Sequence, residues 1–218
     1  MNLNANFDER VLVHSDEVEW KASPMPGVDR RMLDRIGDEV ARATTIVRYA
    51  PNSKFSAHTH TGGEEFIVIE GVFQDEHGDF PVGTYVRNPP TSSHTPGSDE
   101  GCTIFVKLWQ FDPEDRTQVT IDMNDELKNT DKAILFEDAR ETVSVQNWKA
   151  GEKATIDLPQ GGEFLVLEGG FNDGEDELRK HSWLRMPQGS KLHAVASDDG
   201  AKVWVKTGHL PYAQAPDA

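Results

Sequence analysis

The chain has 218 residues, of which 36% are apolar and 18 are glycine, enough to build one large β domain or two smaller ones of roughly 100 residues. Its 38 acidic and 22 basic residues leave a formal charge of −16, which opposes binding to nucleic-acid phosphates and to anionic lipid. The longest apolar runs, such as Phe66–Ile69, are four residues long, the first ten residues hold no signal-peptide core, and Cys102 alone can supply neither a disulfide framework nor a cysteine-based zinc cluster.

In chain order, Arg31–Gly37 reads as a turn or two of helix with a narrow apolar face. The rest of the pattern is short apolar stretches separated by Gly, Pro, Asn and Asp. Thr44–Tyr49, Glu65–Glu70, Thr84–Arg87, Thr103–Trp109, Thr117–Asp122, Phe164–Glu168 and Lys202–Lys206 are predicted strands. Many short strands with turn signals between them predict an all-β sandwich or barrel.

The strands repeat. Glu65-Phe66-Ile67-Val68-Ile69-Glu70-Gly71 is echoed by Glu163-Phe164-Leu165-Val166-Leu167-Glu168-Gly169, Arg87-Asn88-Pro89 by Arg185-Met186-Pro187, and His94 by His193. Ile104-Phe105-Val106-Lys107 returns as Val203-Trp204-Val205-Lys206. The spacing is 98 residues in the first block and 99 in the last, as one inserted residue would give. Two copies of one β unit follow. The acidic stretch from Asp112 to Asp131 ends the first copy and leads to the second, and the division is placed at 1–128 and 129–218, near Asn129.

The segment His58-Thr59-His60-Thr61-Gly62-Gly63-Glu64-Glu65 carries the chemistry. Residues i and i+2 of a strand share a face, so the two imidazoles can converge on one ion. Gly62-Gly63 permits a sharp reversal that swings a carboxylate back toward it. His94, after the rigid Pro89-Pro90, can supply a third nitrogen from a neighbouring strand. Three neutral imidazoles and a carboxylate suit Zn, Fe(II), Mn or Ni.

His58-x-His60-x3-Glu64-x6-Gly71 followed by Gly83-x5-Pro89-x4-His94 resembles the two motifs of the cupin superfamily. The wider run, from Val47-Arg48-Tyr49-Ala50-Pro51 through Gly71-x-Phe73-x-Asp75-Glu76-x-Gly78 and Arg87-Asn88-Pro89-Pro90 to Val106-Lys107-Leu108, is similar to the ChrR-like cupins and to their relatives among acetylacetone-type dioxygenases. The resemblance is close over about residues 44–111. It implies a jelly-roll β-barrel with an ion held by His58, His60, Glu64 and His94, and it selects Glu64 over Glu65. Thr91 and Ser98 stand where the second motif usually has Gly and Asn. ChrR-like anti-sigma factors also carry a cysteine-bearing zinc domain that grips the sigma factor. A chain with only Cys102 cannot build it, so a sigma factor is not an expected partner.

In the second copy His58 and His60 answer to Ile156 and Leu158, or to Asp157 and Pro159, which leaves only Glu163 and His193 as ligands. Too few donors remain there for a tight site. Among other residues, Arg48, Tyr49, Tyr85 and Arg87 flank the ligand strands and are candidates to line a pocket, although for Arg48 or Arg87 an outward position paired with an acidic residue is the favoured reading. Glu65 is read as an outer carboxylate, His77, His14, His181 and His209 as surface or loop residues, and Cys102 and the tryptophans as packing.

The expectation is therefore an all-β chain of two tandem jelly-roll cupin barrels, the second degenerate, with one divalent metal ion per chain, foremost Zn or Fe(II). The resemblance implies recognition of a small molecule or reactive oxygen species. The competing function is a metal-dependent dioxygenase acting on a small chelating substrate, and a structural zinc protein is the third. A cytoplasmic protein that binds neither membrane nor nucleic acid, and that is free to form homo-oligomers, completes the expectation.

Overall fold

A computed structural model describes residues 1–38 and 40–216. It is built mainly of antiparallel strands in two compact units, one holding Met1–Ala5 and Glu19–Asp122 with the residues from Gln214, the other Asn6–Val18 and Met123–Ala213. No described helix is long and apolar enough to cross a membrane.

In the first unit the strands Val28–Gly37, Ala41–Tyr49, Cys102–Leu108, Glu64–Asp75, Thr84–Asn88 and Val119–Asp122 lie side by side in that order. Alternation assigns their faces. Val47, Phe66, Val68, Phe73, Val86, Cys102, Ile104 and Val106 form one apolar cluster. Thr44, Glu65, Arg87 and Lys107, in register with one another, point the opposite way and are also buried.

Val28–Gly37 corrects the helix expected at Arg31–Gly37. It is a strand paired along its length with Ala41–Tyr49, from Val28 opposite Tyr49 to Gly37 opposite Ala41. The register shifts between Met32 and Asp34, so the adjacent Leu33 and Asp34 are both buried. Such a bulge breaks the two-residue period by which a strand is recognised.

In the second unit Lys132–Glu137, Thr142–Trp148, Ser190–Thr207, Gly162–Asn172, Ser182–Met186 and Val11–His14 are neighbours in that order. Val11 lies opposite Arg185 and His14 opposite Ser182. The sequence division at 128/129 puts these N-terminal residues in the first half, whereas their backbone pairing puts them in the second unit, as its edge strand.

The ladders of the two units carry the same register. Gly97 pairs with Gln74 as Val195 pairs with Asn172, and Cys102 pairs with Gly71 as Ala201 pairs with Gly169. The extra residue of the second copy therefore lies between Val195 and Ala201, the counterpart of the stretch between Gly97 and Cys102. Buried Glu65, Tyr85, Arg87 and Lys107 answer to buried Glu163, Trp183, Arg185 and Lys206, position for position.

Candidate metal centre

His58 and His94 face each other in a short antiparallel pair, His58–Thr59 against Ser93–His94. The pairing continues past its ends: His60 N–H donates to Ser92 O at 2.9 Å, and Thr91 N–H to His60 O at 2.9 Å. That brings His60 to the same face as His58, as the alternation predicted. The reversal to Glu64 depends on glycine. Gly63 has φ +78°, and a Cβ there would fall 2.3 Å from the Phe111 ring, while one on Gly62 would fall 2.1 Å from the Trp109 ring. The turn that delivers His94 is closed by Pro89, whose carbonyl accepts from Ser92 N–H at 3.1 Å and from Ser92 Oγ at 2.6 Å. Thr91, standing where a cupin motif usually has glycine, adopts the left-handed conformation at φ +75°.

One ligand atom from each of His58, His60, Glu64 and His94 falls within 4.8 Å of the other three. The Nε2 atoms of His60 and His94 are 3.3 Å apart, and Glu64 Oε1 is 3.5 Å from the first and 3.6 Å from the second. Two nitrogens bound to one ion at metal–nitrogen distances of about 2.1 Å and a tetrahedral angle sit about 3.4 Å apart, so the donor set fits a single transition-metal ion.

The surroundings fix which atoms point inward. Ser92 Oγ lies 3.0 Å from His60 Nδ1, and Asp75 Oδ2 lies 3.3 Å from His94 Nδ1. Asn88 Nδ2 donates to Glu64 Oε1 at 3.3 Å and is itself held by Gln118 through its Oδ1 at 3.1 Å. Burial, reinforced by neighbouring imidazoles, pushes His60 down to about 3 and His94 down to about 4. Both rings are therefore neutral at physiological pH, the state a metal requires. Burial pushes Glu64 up to about 7 despite the opposing bond from Asn88. His58, in contrast, is exposed, so solvent reaches the cluster from its side.

The flanking candidates separate by face. Tyr49 shares the apolar interior, its ring 4.9 Å from Phe55 and 5.9 Å from Phe73, and Phe73 in turn lies 5.7 Å from His94. Burial, with a contribution from Glu64, raises the Tyr49 hydroxyl above its ordinary value. The other three stand on the opposite face, which corrects the pocket-lining expectation for them. Arg48 pairs with Asp29 at 2.8 Å and lies over Trp20, Tyr85 donates to Glu65 at 2.6 Å, and Arg87 pairs with Asp115 at 2.9 Å beneath Phe111. Strand parity accounts for this, since Arg87 is in register with Glu65 while its neighbour Val86 belongs to the apolar cluster. Cys102 is a buried packing residue whose thiol burial raises to about 11. Asp75, Ser92 and Asn88 were not singled out in the sequence, although Asp75 lies inside a stretch that carries the family resemblance.

The second unit lacks the quartet. Its register places Ile156 opposite Leu192, as His58 stands opposite His94, with Leu158 at the place of His60 and Gly162 at that of Glu64. Leu158 and Leu192 belong to the apolar core and Ile156 packs against it. A Cβ on Gly162 would lie 2.7 Å from Leu158 Cδ2, so the leucine occupies the room a side chain at that position needs. His94 thus answers to Leu192, not to His193, which is exposed. Glu163 answers to Glu65 and accepts from Trp183 Nε1 at 3.1 Å and faces His209 Nε2 at 2.8 Å. His209 is accordingly buried rather than at the surface.

Residues 8–112 match the family described as the ChrR cupin-like domain. No curated protein is significantly similar in sequence. Among solved structures, a candidate dioxygenase of Nostoc punctiforme PCC 73102 superposes with a TM-score of 0.73 at 18% identity, over 93% of this chain and 84% of that one. YlbA of Escherichia coli gives 0.71 at 15%, over 93% and 92% of the two chains. The E. coli pirin YhhW, in complex with nickel(II), gives 0.65 at 12%, over 91% and 98%. At such identities the likeness establishes a shared fold.

Proposed function

We propose, from the premise that residues 8–112 match the ChrR cupin-like family, that this chain is a metal-dependent recognition protein. Its first unit holds one divalent transition-metal ion through His58, His60, Glu64 and His94. The observation that carries this reading is the convergence of four donor atoms within 4.8 Å, two of them imidazoles kept neutral by burial. When bound, the ion supplies a Lewis acid with coordination positions left over for a small oxygen-bearing molecule or a reactive oxygen species. Around it, Asp75 and Ser92 orient the imidazoles, and Asn88 steers the Glu64 carboxylate. Tyr49, Phe55 and Phe73 give the interior an apolar wall that excludes bulk water. We read the second unit as a degenerate cupin barrel, its ligand positions refilled by Ile156, Leu158, Gly162 and Leu192. Bicupin is the corresponding architecture.

A dioxygenase acting on a small chelating substrate is the second reading. The exposed side of His58, through which a substrate could reach the cluster, favours it. The metal that accompanies anaerobically purified protein separates the two. Iron together with oxygen uptake on adding acetylacetone establishes the enzyme, whereas zinc without uptake establishes the recognition role. Purified protein that holds no transition metal and takes none up contradicts both.

A further inference from the structure

The second unit carries a polar ladder beside its apolar core. Ser144, Gln146 and Trp148 alternate along Thr142–Trp148 and stand opposite Val205, Val203 and Ala201, so all three share the face of the unit's apolar core. In the first unit the same register positions hold Thr45, Val47 and Tyr49. Gln146 thus replaces an apolar residue in the very unit whose metal-ligand positions have become apolar.

Hydrogen bonding fixes the direction of this ladder. The indole N–H of Trp148 can only donate, and it donates to Gln146 Oε1 at 3.1 Å. The amide nitrogen is thereby turned toward Ser144, donating to its Oγ at 3.2 Å. Ser144 is 4% exposed. Its own hydroxyl proton, and the second amide proton of Gln146, meet no acceptor among the described residues. One donor on buried Ser144 and one on half-buried Gln146 thus remain available to an acceptor in the groove.

A groove of about 500 Å³ opens beside them, with Trp148, Ile156 and Val205 on its apolar side. That volume suits a small organic molecule. Asp131, Glu152, Asp157 and Lys132 line the groove, and Lys149 and Lys191 pair with Asp131 at 3.0 Å and Asp157 at 2.8 Å, so the groove carries no excess of positive charge to attract an anion.

We propose that the second unit binds an uncharged small molecule whose carbonyl or amide oxygen accepts from Ser144 and Gln146 while its apolar body lies against Trp148, Ile156 and Val205. The site is independent of the metal centre.

The test is a titration of the isotopically labelled full chain, followed by nuclear magnetic resonance at the Gln146 side-chain amide and the Trp148 indole. The probes are cyclohexanone and N-isopropylacetamide, with cyclohexanecarboxylate as an anion of similar size. At least one neutral probe is expected to give saturable shifts with a Kd of about 1 mM, and the carboxylate to bind at least about tenfold more weakly. Ser144→Ala and Gln146→Leu are each expected to weaken binding about fivefold or more. The leucine suits the fold because the first unit has Val47 at that position, and either variant that keeps the wild-type spectrum elsewhere answers the question. The proposal is overturned if neither neutral probe saturates below about 20 mM, if the anion binds equally well, or if a folded variant binds as wild type does.

Discussion

The Asp75 carboxylate lies 3.3 Å from Nδ1 of His94, on the opposite side of the ring from the nitrogen that faces Glu64 and His60. An Nδ1–H donated to that carboxylate leaves the Nε2 lone pair aimed at the centre of the quartet. It also makes that nitrogen a better ligand. His60 has the Ser92 hydroxyl in the corresponding role.

Asp75→Asn keeps the shape and removes the charge, so metal affinity should fall about 10- to 100-fold. Titration against a competing chelator measures it. An affinity within twofold of wild type would show that Asp75 does not support His94.

The metal-free protein should lose stability in acid. His60 and His94 have folded values of about 3 and about 4, below the ordinary histidine value, so the unfolded chain takes up protons on them first and stability falls with pH below about 6.5. Glu64, raised to about 7, acts in the opposite sense: the folded state holds its proton, and stability is lost as the pH rises from about 4.5 to 7. Two histidines against one carboxylate leave a net gain of roughly 1 kcal/mol per pH unit on going from pH 4.5 to 6.5. Urea unfolding of the chelated protein across that range is the check, and Glu64→Gln should steepen the slope. A flat profile in both proteins would mean that the imidazoles are not held neutral by burial.

The turn into Glu64 should tolerate no side chain. Gly63→Ala must place a methyl group at φ +78° and within 2.3 Å of Phe111, so a loss of about 2 kcal/mol or more is expected, together with weaker metal binding. Denaturant melts and metal titration read the two effects. An alanine variant as stable as wild type and as tight for metal would remove the turn from the account.

Much of this was legible in the sequence because strand geometry is periodic. His58 and His60, two apart beside a Gly-Gly turn, had to share a face, and the duplicated Glu-Phe-x-Val-x-Glu-Gly runs had to form equivalent strands. What escaped detection depends on contacts between distant segments. Nothing local marks Asp75 as the partner of a histidine 19 residues away. Val28–Gly37 lost its alternation to a bulge that only its pairing with Ala41–Tyr49 reveals. Matching His94 to His193 by residue type was off by one, because the inserted residue lies after that strand pair, between Val195 and Ala201, and the ladder puts Leu192 there. His209 lacked any partner nearby in sequence and is buried against Glu163.

Metal content per chain tests the central claim most directly. Wild type, His94→Ala and His193→Ala are dialysed against a weak chelator and measured by plasma mass spectrometry. Stripping one imidazole from a four-ligand site removes a bond to the ion and loosens the other three ligands, whereas His193 is exposed and stands beside Leu192, not at the place of His94. The account predicts one tightly held ion in wild type and in His193→Ala, and none in His94→Ala. Two ions in wild type, or one that survives His94→Ala and is lost in His193→Ala, would contradict it.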